Sequence, residues 1–381
     1  MSSTLHIGMD VHKDTMAVAI AEDGRGGEVR FHSTISNSLL ALEKLIAGLR
    51  KSHGKEVVLR FAYEAGPCGF VIARRLKALG LECLVAAPSL IPARPGERVK
   101  TDPRDALKLA RLLRAGELTA VYVPESTDEA LRDLCRARQD AVGDRSRNRQ
   151  RLQAFLLRNG YRYLGKSAWT AAHQRYLREL VLAQPAQKII LEDYLCAITD
   201  AVERVKRAEE QMAQLLPGWR LQPAVQALMA FKGFQLIAAM TVVSELGDLY
   251  RFAHPRPLMA YLGLVSSEHS SGDHRSQGSI TKAGNAHLRW MLIECAQHYA
   301  TSPKVSKQLS RRQEGLSRDV VAISWKAQNR LHLRFRRLAA RRLHRNKIIV
   351  AIARELCGFL WAALRTLDCY QAPEETVSHA A

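Results

Sequence analysis

The chain has 381 residues, of which 47% are hydrophobic, so it is long enough for two or three folded domains. Lys and Arg total 57 against 37 Asp and Glu, and this formal net charge of +20 indicates a nucleic-acid-binding protein, with a merely basic soluble protein as the alternative. Seven scattered cysteines argue against a zinc site or a disulfide framework. Without a signal peptide or an apolar run that could cross a membrane, we expect a cytoplasmic protein with no membrane partner.

The first 125 residues alternate between β and α patterns. A meander of three strands comes first, and helices and strands then follow in turn, which predicts an α/β domain with a mixed sheet over 1–125. That order is the one found in ribonuclease-H-like folds. The predicted strands are 5–11, 15–21, 28–35, 56–64 and 81–87, and the predicted helices are 37–49, 68–79 and 102 to about 115.

Beyond residue 125 the pattern becomes helical. Residues 126–215 show long, charged, coiled-coil-like helices, which indicate a helical linker, a dimerisation region or a surface that lies along nucleic acid. Residues 216–381 read as a second, mainly α-helical domain, with an apolar helix predicted over 236–246. The sequence therefore predicts three domains.

Four carboxylates are the most informative feature of the first domain. Asp10 and Glu64 each end an apolar predicted strand, and Asp102 and Asp105 open a predicted helix. Acidic side chains from such positions can converge and hold hard divalent cations through their oxygens. Two such metals clamp the attacking and leaving oxygens of a phosphoryl displacement. The pattern is typical of a nuclease or recombinase.

Each acid also has a structural interpretation. Asp102-Pro103-Arg104-Asp105 is a sound helix start, with Asp at the N-cap, Pro at the first position and an acid facing the helix dipole. Asp10 is harder to explain in this way, because an acid at the end of an apolar strand is costly unless it is paired or metal-bound. The joint pattern of four acids on three elements favours a functional site.

A polar stretch over 263–285 is the second candidate for chemistry. It is rich in Ser and Gly and contains Ser270 and Ser271, and a serine hydroxyl there could attack a phosphodiester. An ordinary surface loop is the alternative. Lys282 and Arg289 enter the following helix and are candidates for phosphate binding.

Residues 301–350 carry 14 Lys and Arg against only Glu314 and Asp319. Because the basic residues are interleaved with aromatic and apolar ones, they predict one basic helix that binds nucleic-acid phosphates and stacks on bases. A solvated basic face is the alternative. The candidates for phosphate contact are Arg330, Arg334, Arg336, Arg337, Arg341, Arg342, Arg345 and Lys347.

Two sets of motifs resemble the IS110 family of insertion-sequence transposases, whose relatives are the Piv-type invertases. The first set is Gly8-Met9-Asp10-Val11-His12-Lys13, Tyr63-Glu64-Ala65-Gly66 and Lys100-Thr101-Asp102-Pro103-Arg104-Asp105-Ala106. The second is the segment 252–263, Ser271-Gly272, Ile280-Thr281-Lys282-Ala283-Gly284-Asn285 and Leu288-Arg289. Together they cover nearly the whole chain in the right order.

The resemblance implies a DNA recombinase. Asp10, Glu64, Asp102 and Asp105 would be the metal-binding tetrad of a Holliday-junction-resolvase-like fold, using Mg²⁺ or Mn²⁺, and Ser271 would be the nucleophile of a covalent serine–DNA linkage. Because the motif is a serine followed directly by a glycine, Gly272 assigns this role to Ser271 and not to Ser270. The implied partners are donor and target duplex DNA, a structured non-coding guide RNA and further subunits in a homodimer or homotetramer, acting at the bacterial nucleoid.

Three other functions fit parts of the sequence. A metal-dependent junction nuclease that uses water would need the tetrad but not Ser271. A non-catalytic nucleic-acid-binding protein would need neither. A sugar-kinase-like ATPase would need a second phosphate loop besides the glycine-rich turn at 23–27.

Overall fold

The chain divides into two units, Met1–Val123 and Pro124–Ala381. The computed structural model describes residues 3–24, 26–92, 101–268 and 276–370. The predicted order, a mixed α/β sheet followed by a mostly helical chain, is confirmed. The finer division into 1–125, 126–215 and 216–381 stays a prediction.

The first unit contains five strands and three α-helices in its described part. They are β1 (Thr4–Val11), β2 (Thr15–Glu22), β3 (Val29–Ser36), α1 (Leu39–His53), β4 (Val58–Glu64), α2 (Val71–Ala78), β5 (Glu82–Ala86) and α3 (Asp102–Ala115). The strands form one sheet in the order β3-β2-β1-β4-β5. β1 and β2, and β2 and β3, pair antiparallel, whereas β1 and β4, and β4 and β5, pair parallel.

The two faces of this sheet carry side chains of different size. Because side chains alternate along a strand, Leu5, Ile7 and Met9 of β1 point to one face, where they form a core with α1 and α2. The other face is lined by alanines of β2 and packs against α3 through Ala106 and Ala110. Large side chains thus support α1 and α2, and small ones let α3 approach the sheet closely.

Gly8 is the closest point of that approach. A Cβ atom on Gly8 would overlap the carbonyl oxygen of Ala106 and the backbone nitrogen of Ala110. We expect Gly8→Ala to destabilise the protein by about 1–3 kcal/mol, the usual cost of overpacking a core. Urea unfolding followed by circular dichroism measures this difference.

Gly48 in α1 is the matched control. A Cβ atom there meets nothing within 4 Å. Gly48→Ala should therefore stabilise the protein by about 0.5–1 kcal/mol, since alanine is the better helix former. A Gly8→Ala protein as stable as the wild type would mean that α3 does not need this close contact.

The second unit is largely helical. Its described elements are α4 (Ser126–Arg158), α5 (Ala171–Glu179), α6 (Pro185–Leu215), α7 (Gln222–Met229), α8 (Leu236–Leu246), α9 (Pro255–Tyr261), β6 (Ser266–Glu268), β7 (Gln277–Ile280), α10 (Ala286–Ala296), α11 (Lys307–Gln313), α12 (Arg318–Ala340) and α13 (Arg345–Leu364). β6 and β7 form an antiparallel hairpin. α4 and α6 pack side by side, and a large apolar core lies among α7, α8, α10, α12 and α13. No helix in the described ranges has the length and apolar character to cross a membrane.

The prediction of one basic helix over 330–347 was wrong. The basic residues occupy the end of α12, a short turn and the start of α13. Arg342 adopts the left-handed backbone conformation in that turn, with φ 55°, and the side chain of His344 accepts a hydrogen bond from the Asn346 N–H to cap α13. Two helix ends, instead of one continuous helix, therefore display the positive charge.

Candidate functional site

Asp10 and Glu64 lie at the carboxyl ends of adjacent parallel strands. Met9 of β1 pairs with Tyr63 of β4, and each acid is the next residue along its strand. Alternation places both acids on the α3 face of the sheet, because Met9 and Tyr63 belong to the core on the opposite face. Asp10 is mostly covered, with 15% of its side chain exposed, whereas Glu64 is exposed.

Helix α3 brings the other two acids to the same end of the sheet. It begins at Asp102, with Thr101 at the N-cap. The interpretation of Asp102 as the N-cap was therefore wrong by one position, and its carboxylate is not explained by capping. The packing of Ala106 and Ala110 against the sheet fixes the start of α3 beside the end of β1.

His12 bridges two of these carboxylates. Its Nε2 atom lies 3.1 Å from Oδ2 of Asp10 and 3.4 Å from Oδ1 of Asp102. The Asn37 side chain holds the turn that carries it by donating to the His12 carbonyl at 2.7 Å. Sequence reasoning missed His12 as a site residue, although its spacing of two residues from Asp10 at a strand end was a usable signal.

The electrostatics of Asp10 favour the arrival of a positive charge. Burial raises the pKa of Asp10, and the carboxylates of Asp105 and Asp102 raise it further, while His12 lowers it. Holding this carboxylate ionised beside two others costs free energy. A cation between them would offset that cost.

A divalent metal ion fits this donor set. Among the described residues, ligand atoms of Asp10, His12 and Asp102 lie within 4.8 Å of one another. This close cluster does not include Glu64 or Asp105, although the charge of Asp105 acts on Asp10. Carboxylate oxygens suit Mg²⁺ and Mn²⁺, whereas an imidazole suits other transition metals better. Three of the four predicted acids, Asp10, Asp102 and Asp105, thus interact through their charges, and His12 contacts two of them.

The predicted nucleophile Ser271 lies outside the described residues, as do Ser270 and Gly272. The hairpin that flanks them is described. Ser266 of β6 pairs with Ile280 of β7, and the Ser267 hydroxyl donates to the Ser279 carbonyl at 3.1 Å. The described residues on the two sides of 269–275 therefore pair as antiparallel strands.

The two basic residues after this hairpin differ in their surroundings. Lys282 is exposed and adopts the left-handed region, with φ 56°. Arg289 directs Nη1 to the carbonyls of Leu262 and Ala283, at 3.0 and 2.8 Å, so this part of its guanidinium holds the backbone. Lys282 is therefore the more exposed of the two.

The predicted basic candidates of α12 and α13 also divide into two groups. Arg330 and Arg334 form ion pairs with Glu355 of α13. The other six are also exposed but form no ion pair among the described residues: Arg336, Arg337, Arg341, Arg342, Arg345 and Lys347. The positive charge of these six is therefore not offset by an ion pair in the described structure.

Glu245 of α8 is the centre of a buried network that the sequence did not indicate. Its side chain has 0% exposure and accepts from Arg136 Nε at 2.6 Å, from Arg136 Nη2 at 2.9 Å and from Asn285 Nδ2 at 2.6 Å. His287 Nδ1 lies 3.2 Å from Oε1. Burial acts to raise the pKa of Glu245, but hydrogen bonds from His287, Arg136 and Asn285 outweigh it and lower the pKa to about 2.

This network holds the segment between β7 and α10 in place. Asn285 is the N-cap of α10, and its side-chain oxygen accepts from the Leu288 N–H while its amide donates to Glu245. The segment that follows β7 is thus tied to α8 and, through Arg136, to α4. The partners are up to 109 residues apart in sequence, so no local pattern reveals them.

Comparison with known proteins identifies the family. The DEDD transposase model of the IS110 family matches residues 7–159, and a model described as transposase of the IS116/IS110/IS902 family matches residues 225–311. A Sinorhizobium fredii protein that carries the name transposase, y4qE, is 45% identical over 359 residues, which cover 94% of this chain and 88% of that protein. The transposase for insertion sequence element IS1533 of Leptospira borgpetersenii is 30% identical over 345 residues, 90% of this chain and 99% of its own length. The chain therefore belongs to the IS110 family of insertion-sequence transposases, enzymes that act on DNA.

Proposed function

We propose that this transposase cuts and rejoins the DNA of its insertion sequence in a Mg²⁺-dependent reaction that passes through a covalent serine–DNA intermediate. The observation that carries the proposal is the convergence of Asp10 and Asp102, joined by His12, at the end of β1. A mixed sheet with a three-stranded meander and two parallel strands supports a ribonuclease-H-like fold for this domain.

The four acids would share the work of holding the cation. Asp10, Glu64, Asp102 and Asp105 would bind Mg²⁺ or Mn²⁺, which when bound stabilises charge that develops on a phosphate. The Asp10 carboxylate would supply well-shielded oxygens, since 15% of its side chain is exposed against 57% for Asp102. His12 would orient the carboxylates of Asp10 and Asp102 through its hydrogen bond and ion pair.

Ser271 would be the nucleophile. Its Oγ would form a bond to phosphorus while the bond between phosphorus and the leaving deoxyribose oxygen breaks, with the serine proton passing to a base and a proton passing to the leaving oxygen. The phosphodiester energy would be kept in the serine–DNA bond, so that strands could be resealed without ATP. The hairpin of β6 and β7 would present the serine.

The partners would be donor and target duplex DNA and a structured non-coding guide RNA. The chain would act as a homodimer or homotetramer, with the tetrad and the serine of one active site supplied by different subunits. The six exposed basic residues of α12 and α13, with Lys282, support contact with nucleic-acid phosphates.

A cleavage assay with Ser271→Ala tests the nucleophile. Wild-type protein, Mg²⁺, the DNA junction of the element and RNA transcribed from its flanks should give a protein–DNA adduct on a denaturing gel. We expect the adduct to vanish in Ser271→Ala, because the alanine has no hydroxyl, and to persist in the matched variant Ser270→Ala.

Cleavage that continues in Ser271→Ala without any adduct would overturn the serine mechanism. It would instead support the second candidate, a junction nuclease that uses water at the same acidic cluster. If the adduct is lost in Ser270→Ala but persists in Ser271→Ala, the nucleophile is Ser270.

A further inference from the structure

A segment of the second unit carries positive charge without any acid. Between Asp144 and Glu179 there is no Asp or Glu, and the nine basic residues are Arg145, Arg147, Arg149, Arg151, Arg158, Arg162, Lys166, Arg175 and Arg178. The segment runs from the end of α4 through the following loop into α5. It lies apart in sequence from both the acidic cluster and the basic ends of α12 and α13.

Two arginines of this segment are held under unfavourable conditions. Arg145 and Arg149 lie one turn apart on α4 and are partly buried, and the Nε atom of each is shielded from water without a hydrogen-bond partner. Burial lowers the pKa of Arg149, and the charge of Arg145 lowers it further. Their neighbours differ: Arg138 pairs with Glu209, and Arg147 pairs with Asp144.

An aromatic side chain fixes one of these guanidinium groups. The Cζ atom of Arg149 lies 4.6 Å from the ring centroid of Trp169. Trp169 adopts the left-handed backbone region, with φ 67°, and donates its N–H to His173 Nδ1 at 3.2 Å. A bulky residue rarely adopts this conformation, which persists where the surrounding structure enforces it, as at functional positions.

We propose that Arg145 and Arg149 together bind one phosphate of a nucleic-acid strand and that Trp169 positions the guanidinium of Arg149. A phosphate that meets the outer parts of the two guanidinium groups would pair with both charges and cancel the repulsion of two like charges on one helix face. The other basic residues of the segment extend the positive surface for neighbouring phosphates, which favours a polyanion over a small anion.

The strand could belong to the DNA on which the enzyme acts or to the guide RNA. The DNA source follows from the family, whereas the RNA source rests on the proposed function. Binding measured in EDTA, with duplex DNA from the element and RNA from its flanks in separate arms, tells these sources apart. Neither Mg²⁺ nor Ser271 is needed for binding, so a failure of the proposed chemistry would leave this test intact.

The test compares the full chain with the double variant Arg145→Gln/Arg149→Gln by fluorescence anisotropy over a range of salt concentrations. For at least one nucleic acid, affinity should fall about tenfold or more, and the slope of log affinity against log salt should become shallower by about 1. The thermal midpoint of unfolding should change little, because the variant loses the repulsion of two like charges together with the contact of Arg149 with Trp169, and neither arginine forms an ion pair among the described residues.

Two further variants keep the proposal falsifiable. Lys206→Gln/Arg207→Gln removes two charges from α6, where each residue pairs with a glutamate of its own helix, and should leave the salt slope unchanged. Arg149→Lys keeps the charge but loses the planar group over Trp169, so it should bind more weakly with an unchanged slope.

Unchanged affinity and slope for both nucleic acids in the double variant would overturn the proposal. So would a fall in its thermal midpoint that accompanies the loss of binding, since that combination indicates a structural role for the two arginines. A fall in affinity equal to that of the α6 variant would show that only overall charge matters.

Discussion

Replacing Asp10 by asparagine is expected to abolish DNA cleavage while the protein stays folded. The amide would keep the size of the side chain but would lose a well-shielded carboxylate of the cluster. Because a bound metal contributes several kcal/mol of charge stabilisation and each 1.4 kcal/mol is a factor of ten in rate, the loss should be about a thousandfold or more. Cleavage of the DNA junction under single-turnover conditions measures it.

Metal binding gives a second readout of the same change. Electron paramagnetic resonance of Mn²⁺ titrated into the protein should show weaker binding in Asp10→Asn than in the wild type. Asp140→Asn changes an exposed aspartate of α4 and is the matched control, with activity and Mn²⁺ binding unchanged. Full activity in Asp10→Asn would contradict a catalytic role for the acidic cluster and indicate that its acids are structural.

Replacing Glu245 by glutamine should destabilise the protein more than any other replacement of a single carboxylate by its amide. The change leaves Arg136 without its bidentate carboxylate and replaces one of the two oxygens, Oε2 at Asn285 or Oε1 at His287, by an NH₂ group that cannot accept. Breaking a buried ion pair on one side costs about 3–5 kcal/mol, and the value here should lie at the lower end, because Arg136 is half exposed. Urea unfolding at pH 7 measures the free energy of unfolding.

Glu209→Gln is the matched control for this substitution. Glu209 pairs with Arg138 between α6 and α4, but 38% of its side chain is exposed. Ion pairs of this kind contribute about 1 kcal/mol or less. Equal losses in the two variants would contradict the central role of the Glu245 network.

The pH dependence of stability provides a further check on Glu245. Its pKa falls from an ordinary value of 4.5 to about 2 in the folded protein, so the unfolded chain takes up the proton first. The stabilisation is therefore fully present above pH 4.5 and is lost as the pH falls toward 2. It amounts to about 3 kcal/mol, at about 1.4 kcal/mol per pKa unit. The stability difference between wild type and Glu245→Gln should shrink over this range.

Much of the first unit could be predicted from the sequence, because its signals are local. The alternation of large and small residues in β1 and β2 predicts both strands, and the turn residues between them mark their ends. The family could also be predicted and is confirmed, because its motifs fall at strand ends and at the start of α3. His12 escaped notice because an exposed histidine in a turn acquires meaning only through the fold that brings Asp102 to it.

The break between α12 and α13 could not be predicted by the usual rules. The turn Arg341-Arg342-Leu343-His344 contains no Gly or Pro, and its left-handed residue is an arginine. The Glu245 network was hidden for another reason. The predicted helix 236–246 is almost wholly apolar and suggests an ordinary core helix, and the partner Arg136 is 109 residues away.

The two-residue repeat of β1 has a consequence for how this gene can change. Leu5, Ile7 and Met9 build the core on one side of the sheet, while Gly8 and Asp10 serve the other side. Insertion or deletion of a single codon within this strand would exchange the two sides and would damage folding and chemistry together. Relatives should therefore vary in length in the turns that flank β1 and hardly ever within it. The codons of β1 specify both the core and the acidic site, so a change in their number affects both at once.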